Sequence, residues 1–267
     1  MNIFKRIIRR TKWEIYKFNS QKRNTDILKR HCNICGADFK EPFHPIPLMY
    51  MENAKRTGFP YVFADSETLN YLEYNCPFCR STDRDRLYAL YLSKTLQHSM
   101  KYDLLDIAPN TALQQFLKKI SNINYRSADL YADNVDDQID LMDMHIYPDK
   151  KFDIFICSHV LEHVMDDRKA MQELYRVLKP GGFGIAMVPI ILPLKEIDED
   201  TSITDPDERW RRFGQNDHLR LYSRNEFIQR LVEAGFNVEQ ITLKHFGTKQ
   251  FLLNGISPKS VLYIVHK

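Results

Sequence analysis

The segment spanning residues 152–189 constrains the fold more than any other part of this 267-residue chain. It begins with the apolar run FDIFICSHV, whose length and content of β-branched and aromatic residues are typical of a buried parallel strand. The stretch MDDRKAMQELYRVL follows with apolar residues at helical spacing, and KPGG then breaks the helix, with Gly181 and Gly182 supplying the turn. A second apolar strand, FGIAMVP, comes next. This order predicts one βαβ crossover and therefore a parallel sheet.

These residues give the segment a family resemblance. The pattern of an FD pair, an apolar strand, vLEHv, an Asp, a helix, R-x-L-K-P-G-G and a second strand resembles class I S-adenosylmethionine-dependent methyltransferases of the type 11 group. The resemblance implies an α/β fold, a Rossmann-like seven-stranded methyltransferase sheet with helices on both faces. It also implies S-adenosyl-L-methionine (SAM) as the cofactor. Together with the cysteine-bearing part described below, the likeness covers residues 30–265.

Acidic residues follow three successive predicted strands, where open α/β sheets bind ligands. Asp106 ends the first strand, and its loop lacks the family's two glycines, so Ala108 allows close approach of backbone amides only if its φ is negative. Asp129 ends the second strand and is placed to accept both ribose hydroxyls, or it is a loop or capping residue. Asp140 aligns with the family's adenine contact, with Met144 against the ring. The predicted cofactor-binding residues are Asp106, Ala108, Asn110, Asp129, Leu130, Asp140, Met144 and Ser158.

Four of the five cysteines form two C-x-x-C pairs, Cys32 with Cys35 and Cys76 with Cys79. Two such pairs predict a structural Zn²⁺ site with four thiolate ligands. Disulfides are the alternative, but the sequence shows no signal peptide, and a reducing compartment favours a metal. Residues 31–98 are therefore predicted to be a zinc-ribbon module with its linking helix. This part resembles the zinc-module methyltransferases found among bacterial glycan and capsule biosynthesis proteins. Cys157 lies inside an apolar strand and is expected to be a buried structural thiol.

The second cysteine pair leads into RSTDRDRLYALYLSKTL, which predicts a helix with Ser81 or Thr82 as its N-cap. Arg80, Arg84 and Arg86 gather at the start of this helix. Because cations there oppose the helix dipole, an anionic substrate group or acidic partner is one explanation. A solvated helix face is the interpretation that we favour.

Residues 1–30 carry ten Lys or Arg against two acidic residues, although the net charge of the whole chain is only +3. Apolar residues alternate with these cations, a pattern that suits an amphipathic helix on an anionic membrane surface. A terminal helix packed on the body, or a basic tail, explains the same pattern, and we favour these two together. Nucleic acid is a third partner, disfavoured by the acidic remainder of the chain. The longest apolar run, 183–194, is too short for a membrane span. We therefore expect a cytoplasmic protein, peripheral at the inner face of the membrane in the first interpretation.

Residues 99–267 are predicted to form the catalytic domain, with a substrate-cap insertion at 191–222 that contains the family-like run FGQNDHLRLY. His218 is the candidate general base, oriented by Asp217, and His159 is the second candidate. Local hydrogen bonding explains each histidine equally well. The predicted function is SAM-dependent O-methylation of a small-molecule or glycan acceptor, such as a sugar, glycan intermediate or other small polar metabolite. An RNA methyltransferase and a non-catalytic SAM-binding scaffold are the alternatives. A nicotinamide-dependent enzyme is disfavoured because the chain contains no G-x-G-x-x-G.

Overall fold

The computed structural model describes residues 29–267, so the predicted basic segment 1–30 lies almost entirely outside the described residues. The described strands are β1 (Arg30–His31), β2 (Asp38–Phe39), β3 (Tyr102–Ile107), β4 (Ile123–Asp129), β5 (Asp137–Gln138), β6 (Phe152–Ser158), β7 (Leu178–Met187), β8 (Asp198–Glu199), β9 (Arg220–Leu221), β10 (Asn237–Ile241) and β11 (Leu262–His266). The described α-helices are α1 (Leu48–Thr57), α2 (Asp83–Thr95), α3 (Thr111–Leu117), α4 (Asp167–Val177), α5 (Pro206–Phe213), α6 (Arg224–Glu233), α7 (Leu243–Phe246) and α8 (Thr248–Leu253).

A seven-stranded sheet with the order β10-β11-β7-β6-β3-β4-β5 forms the centre of the molecule. Strands β3 to β7 pair in parallel, whereas β11 runs antiparallel to both of its neighbours. Ile107 pairs with Ala128 on one side and with Cys157 on the other. The carboxyl ends of β3, β4 and β6 therefore meet at one edge, and the chain order reverses at β3, where open sheets bind ligands. The predicted fold class is confirmed.

The predicted βαβ crossover is present as β6, α4 and β7. The side chain of Asp166 caps α4 by accepting the Lys169 amide at 3.0 Å. The KPGG run lies between the pairings Phe152–Leu178 and Ile154–Phe183, which explains the register shift in β7. Gly184 is required by packing, because a Cβ there would lie 2.1 Å from the Phe155 ring.

The cysteine-bearing part packs directly on the sheet. Cys32 and Phe43 belong to the same buried apolar cluster as Leu104 of β3 and Val265 of β11. The residues between the two cysteine pairs, here called the inter-cysteine segment (36–75), contain α1 and a single 3₁₀ turn at Phe63–Asp65. The predicted boundary between residues 98 and 99 stays a prediction.

The cap insertion (191–222) contains the β8–β9 hairpin and α5. It is fixed to the loop after β6, because the buried Arg220 guanidinium donates to the carbonyls of Leu161, Val164 and Met165 and the Leu219 amide donates to the Glu162 carbonyl. Among residues 29–267, no helix has the length and apolar character needed to span a membrane.

Candidate active site

A cavity of about 300 Å³ opens at the carboxyl ends of β6 and β7. One end is polar, where Arg84, His159, Glu162, His163 and His218 converge. The other end is apolar and aromatic. Its walls come from the inter-cysteine segment, the end of the loop after β7 and the cap insertion. They include Tyr50, Phe59, Tyr61, Ile190, Ile191 and Phe213.

Glu162 is the charged centre of the polar end. It is fully buried, and its Oε1 lies 3.1 Å from His159 Nδ1, 3.9 Å from His163 Nε2 and 4.0 Å from His218 Nε2. Burial raises the pKa of this carboxyl, but the contacts with His159, His218 and His163 outweigh burial and hold the pKa below its ordinary value. The proton on His159 Nδ1 lies nearest, but neither carboxylate oxygen has a well-formed hydrogen bond among the described residues. A buried ionised carboxylate with so little hydrogen bonding is costly, which indicates a site for a further donor group.

His218 presents a lone pair to the same space. Its Nδ1 lies 3.1 Å from the Phe213 carbonyl oxygen, which accepts only from N–H, so the proton sits on Nδ1 and Nε2 is unprotonated. Nε2 is buried and has no hydrogen-bond partner among residues 29–267. Burial lowers the pKa of His218, which keeps the imidazole neutral. The ring therefore has the tautomer that a general base requires.

His159 is less available as a base, because its Nε2 accepts a short hydrogen bond from the Arg84 guanidinium. Burial, and then the charge of Arg84, lower the pKa of His159 to about 4. Arg84 also donates to the Tyr74 hydroxyl at 2.9 Å. His159 follows β6 directly and has a φ of 57°, a strained left-handed conformation that turns its ring toward the cavity. Of the two predicted bases, only His218 has a free ring nitrogen.

The predicted pair of Asp217 with His218 is not formed. Asp217 Oδ2 instead lies 3.4 Å from Nδ1 of His163. The correction has a simple cause: His218 is buried and Asp217 is exposed, so these neighbours on the chain point in opposite directions. The backbone carbonyl of Phe213 orients His218 in place of a carboxylate.

Glu162, His163 and His218 also place one ligand-type atom each within 4.8 Å of one another. Two ligands of one Zn²⁺ or Mg²⁺ ion are separated by roughly 3.0 to 3.4 Å, given metal–ligand bonds of about 2.1 Å. The 3.9 and 4.0 Å separations from Glu162 are wider than this.

The predicted cofactor residues near the switch point lie outside this cavity, on the adjoining edge of the sheet. Asp129 ends β4, and its Oδ1 accepts from the Tyr131 and Ala132 amides at 2.7 and 2.8 Å. Within the described part of the chain, its Oδ2 has no hydrogen bond. Ala108 has a φ of 49° rather than the negative value on which its predicted role depended, so it takes the conformation that a glycine takes in such loops.

Asp106 is buried below this edge, where it accepts a hydrogen bond from the Tyr125 hydroxyl at 2.8 Å. Burial raises the pKa of Asp106 to about 7. Asn110 caps α3 by accepting the Ala112 amide at 2.9 Å, and Ser158 Oγ lies 2.8 Å from the Tyr88 hydroxyl. Asn110 and Ser158 both lie at the carboxyl edge of the sheet, and their role in cofactor binding stays a prediction.

Farther from the switch point, Asp140 accepts the Met142 amide at 2.8 Å, and Leu130 is exposed at the end of β4. Met144 is fully buried in the core, so it has no surface on which an adenine ring can lie. The predicted contact of Met144 with the adenine ring is wrong, because its side chain points into the core. Its backbone amide donates to the Glu173 carboxylate at 2.7 Å.

The four predicted metal ligands, Cys32, Cys35, Cys76 and Cys79, place their sulfur atoms within 4.8 Å of one another. Two sulfur pairs are 3.7 and 3.9 Å apart. Tetrahedral ligands with zinc–sulfur bonds of about 2.3 Å lie about 3.8 Å apart, so the sulfurs have the spacing of a tetrahedral site.

The two C-x-x-C loops also have the same backbone. The amides of Gly36 and Arg80 donate to the carbonyls of Cys32 and Cys76, respectively, and both donors have a positive φ. Two loops of one shape facing each other fit a shared ion better than disulfides, and all four thiols are free.

Sequence reasoning missed two features of the site. Glu162 belongs to the LEH run, but nothing in that run shows that a carboxylate at this position is buried among three imidazoles. The aromatic wall was also missed, because the residues between the cysteine pairs have no periodic pattern that relates them to the sheet.

Comparison with known proteins supports a methyltransferase domain. Residues 88–186 match the family described as Methyltransferase domain. The ubiquinone/menaquinone biosynthesis C-methyltransferase UbiE of Pasteurella multocida is 30% identical over 104 residues, which cover 34% of this chain and 38% of that protein. A ubiquinone biosynthesis O-methyltransferase of Coxiella burnetii is 35% identical over 83 residues, which cover 31% of this chain and 29% of that protein. The chain thus spans less than two-fifths of the length of these curated relatives.

Solved structures with a similar chain trace include a SAM-dependent methyltransferase from Archaeoglobus fulgidus, with 14% identity and a TM-score of 0.46 over 70% of this chain and 95% of that one. The [4+2]-cyclase SpnF has 16% identity and a TM-score of 0.47 over 84% of this chain and 97% of that one.

Proposed function

We propose that this protein is a SAM-dependent methyltransferase that methylates a hydroxyl oxygen of a small polar metabolite, such as a sugar or a glycan intermediate. The observation that carries the proposal is the pair of buried, unpartnered acceptors in the cavity, His218 Nε2 and the Glu162 carboxylate, 4.0 Å apart. A hydroxyl that lies between them donates its hydrogen to Nε2. The match to the methyltransferase domain family supports the same reaction class.

SAM supplies a methyl group bound to a positively charged sulfur, which is the electrophile that an oxygen acceptor requires. The residues at the carboxyl edge fit this cofactor in one respect that the structure shows. The Oδ2 atom of Asp129 faces no hydrogen-bond donor within residues 29–267, and a carboxylate at the end of the second strand suits ribose hydroxyls. Asp106, Ala108, Asn110, Leu130, Asp140 and Ser158 remain proposed cofactor-binding residues.

The protein's part in the reaction is to take the acceptor's proton. Because Nδ1 of His218 is already protonated, transfer of the hydroxyl proton to Nε2 produces an imidazolium. Glu162 stabilises this charge in a buried environment, where the attraction between opposite charges is strong. The apolar walls exclude water from the acceptor oxygen.

The cysteine cluster supports a second part of the proposal, a structural Zn²⁺ ion held by Cys32, Cys35, Cys76 and Cys79. The observation behind it is the tetrahedral spacing of the sulfurs, together with the matching shape of the two loops. Four thiolates leave no open position, so this ion would hold the fold rather than act on a substrate.

Cofactor binding is the first test. Isothermal titration calorimetry with SAM should show saturable binding, and Asp129→Ala should weaken it by about 1 to 3 kcal/mol through loss of charge-assisted hydrogen bonds. Glu239→Ala, an exposed carboxylate on β10 at the far edge of the sheet, is the matched control and should bind as the wild type does. Absence of SAM binding by the wild-type protein would contradict the proposed function.

Base catalysis is the second test. Methyl-labelled SAM and a fractionated small-molecule extract should reveal a methylated product, and His218→Ala should lower its rate of formation by about 10²-fold while leaving the affinity for SAM unchanged. His159→Ala should have a smaller effect, because His159 Nε2 is already bonded to Arg84. If His218→Ala retains the full rate, then His218 is structural and the acceptor needs no base.

A further inference from the structure

We propose that the inter-cysteine segment (36–75) is the acceptor-recognition element of the enzyme. Its aromatic side chains form the wall against which a ring-shaped acceptor packs. The cysteine cluster fixes the position of this wall relative to the polar end of the cavity. The proposal rests on the proposed function, because it assigns the recognition of the acceptor in the same cavity. It gives the residues between the cysteine pairs a role in substrate choice.

The wall is built from paired aromatic rings of two elements. Phe59 and Tyr61 of the inter-cysteine segment lie edge to face, with ring centroids 5.6 Å apart. Both pack against the buried cluster of the cap insertion that contains Phe213. Tyr50 of α1 lies 6.3 Å from the Trp210 ring of α5. Removing the segment would leave the cavity open on this side.

The shape and polarity of the cavity define the chemical class of the acceptor. A volume of about 300 Å³ accommodates one six-membered ring with short substituents. Aromatic side chains favour contact with the C–H or π face of a ring. The groups that accept a hydroxyl hydrogen, Glu162 and His218, are gathered at one end. The site therefore suits a single ring with an apolar face and a hydroxyl at the edge opposite Phe59 and Tyr61.

The wall is fixed to the catalytic sheet and does not behave as a free loop. Glu67 is buried, accepts from the Tyr263 hydroxyl at 2.7 Å and pairs with Arg224. Thr68 Oγ1 donates to the Val261 carbonyl at 2.8 Å, and Ser66 forms a bridge with Ile191 at the start of the cap insertion. These contacts tie one end of the segment to β11, α6 and the cap insertion.

The cysteine cluster is linked to the polar end through the first turn of α2. Ser81 Oγ lies 3.3 Å from Cys32 Sγ and 3.2 Å from Cys79 Sγ, and the next residue, Thr82, caps α2. Within that turn, Arg84 reaches the cavity, where it bonds both Tyr74 of the inter-cysteine segment and His159. Loss of the metal would thus displace the wall and Arg84 together.

The wall is tested by ligand-observed saturation-transfer NMR with phenol, a single ring with one hydroxyl, in the presence of S-adenosylhomocysteine. Phe59→Ala and Tyr61→Ala should each weaken phenol binding by about tenfold, the loss expected for one aromatic contact. Anisole, which has the same ring without a hydroxyl hydrogen, should bind more weakly than phenol to the wild type. Val232→Ala, an exposed apolar residue on α6, is the control and should bind phenol normally. Equal phenol binding by the wild type and both wall variants would overturn the proposal.

The link to the cysteine cluster has its own readout in Trp210. The chain contains two tryptophans, so Trp13→Phe leaves Trp210 as the only indole. In that background, Cys76→Ser should shift the Trp210 emission to longer wavelength and abolish phenol binding, because the wall no longer packs on α5. An unchanged emission and unchanged phenol binding in the Cys76→Ser protein would overturn the link.

These readouts require no methyl transfer, so they separate the two proposals. Failure of the wild type to bind SAM in calorimetry contradicts the proposed function. If SAM binds normally and phenol binding is unchanged in both wall variants, only the role of the inter-cysteine segment is contradicted.

Discussion

The cysteine-bearing region and the cap insertion flank the same cavity, and each is held by one fully buried arginine. Arg86 of α2 donates to the carbonyls of Ser81 and Asn254 at 2.7 and 2.5 Å, and also to those of Glu73 and Tyr74. Arg220 of β9 donates to three carbonyls in the loop after β6. In both regions, irregular backbone that cannot pair in a sheet is satisfied by a guanidinium with several donors.

The two arginines differ in how their charge is balanced. Arg220 Nε lies 3.0 Å from Glu199 and 4.0 Å from Asp167. Arg86 stacks over the Phe43 ring, 3.8 Å from its centroid, and within residues 29–267 it forms no direct ion pair with a carboxylate. Arg86 is thus balanced by neutral acceptors, whereas Arg220 is balanced by acidic groups. We expect loss of the metal to act mainly on the cysteine-bearing region, and acid to weaken the contacts of the cap insertion.

The largest expected effect is loss of the proposed metal. Cys76→Ser should remove zinc and destabilise the cysteine-bearing region, because structural zinc sites contribute on the order of 10 kcal/mol. Metal analysis of the wild type should give about one zinc per chain. Limited proteolysis of the variant should cut within residues 36–75 while the cap insertion stays protected.

Cys157→Ser provides the control, since Cys157 lies in β6, outside the cysteine cluster, and should keep its zinc. If wild-type protein prepared without chelator contains no zinc, the proposed metal site is contradicted.

Replacement of either arginine by methionine is expected to have the next largest effect. Arg86→Met and Arg220→Met should each lower the free energy of unfolding by about 3 to 5 kcal/mol, because several buried carbonyls lose their donors together. Urea denaturation measures both. Arg211→Met, an exposed arginine of α5 paired with Glu208, should change stability by less than about 1 kcal/mol. A small effect of Arg86→Met would show that water or the metal cluster satisfies those carbonyls.

The sequence predicted the secondary-structure elements and their order better than the direction in which the charged side chains point. The βαβ crossover, the start of α2 at Thr82 and the meeting of the cysteine pairs all follow from local patterns, namely apolar period, capping residues and C-x-x-C spacing.

The three arginines at the start of α2 show where such patterns fail. The sequence favours a solvated helix face for them, with an anion site as the alternative. In the structure, Arg80 completes a cysteine loop, Arg84 enters the cavity and Arg86 donates to carbonyls of distant segments. Their roles depend on which elements pack against α2, and that depends on contacts between residues far apart in the chain. The buried environment of Glu162 has the same origin.

The smallest expected effect concerns two carboxylates that tie the two regions to the core and respond to pH in opposite directions. Burial raises the pKa of Glu67 in the inter-cysteine segment, despite its contacts with Tyr263 and Arg224. Burial also acts on Glu199 of the cap insertion, but hydrogen bonds from Arg230 and Arg220 outweigh it and lower the pKa.

A raised acid pKa favours folding below the unfolded value, near pH 4.3, and this advantage is lost as pH rises through the folded pKa. A lowered pKa favours folding above that value, and this advantage is lost as pH falls through the folded pKa. Glu67→Gln should therefore raise the melting temperature at pH 8 and have little effect at pH 4. Glu199→Gln should lower the melting temperature at pH 7 and lose its effect below pH 4. Scanning calorimetry of both variants from about pH 2 to pH 8 measures the two profiles. Parallel profiles would show that the two regions do not differ in their dependence on charge.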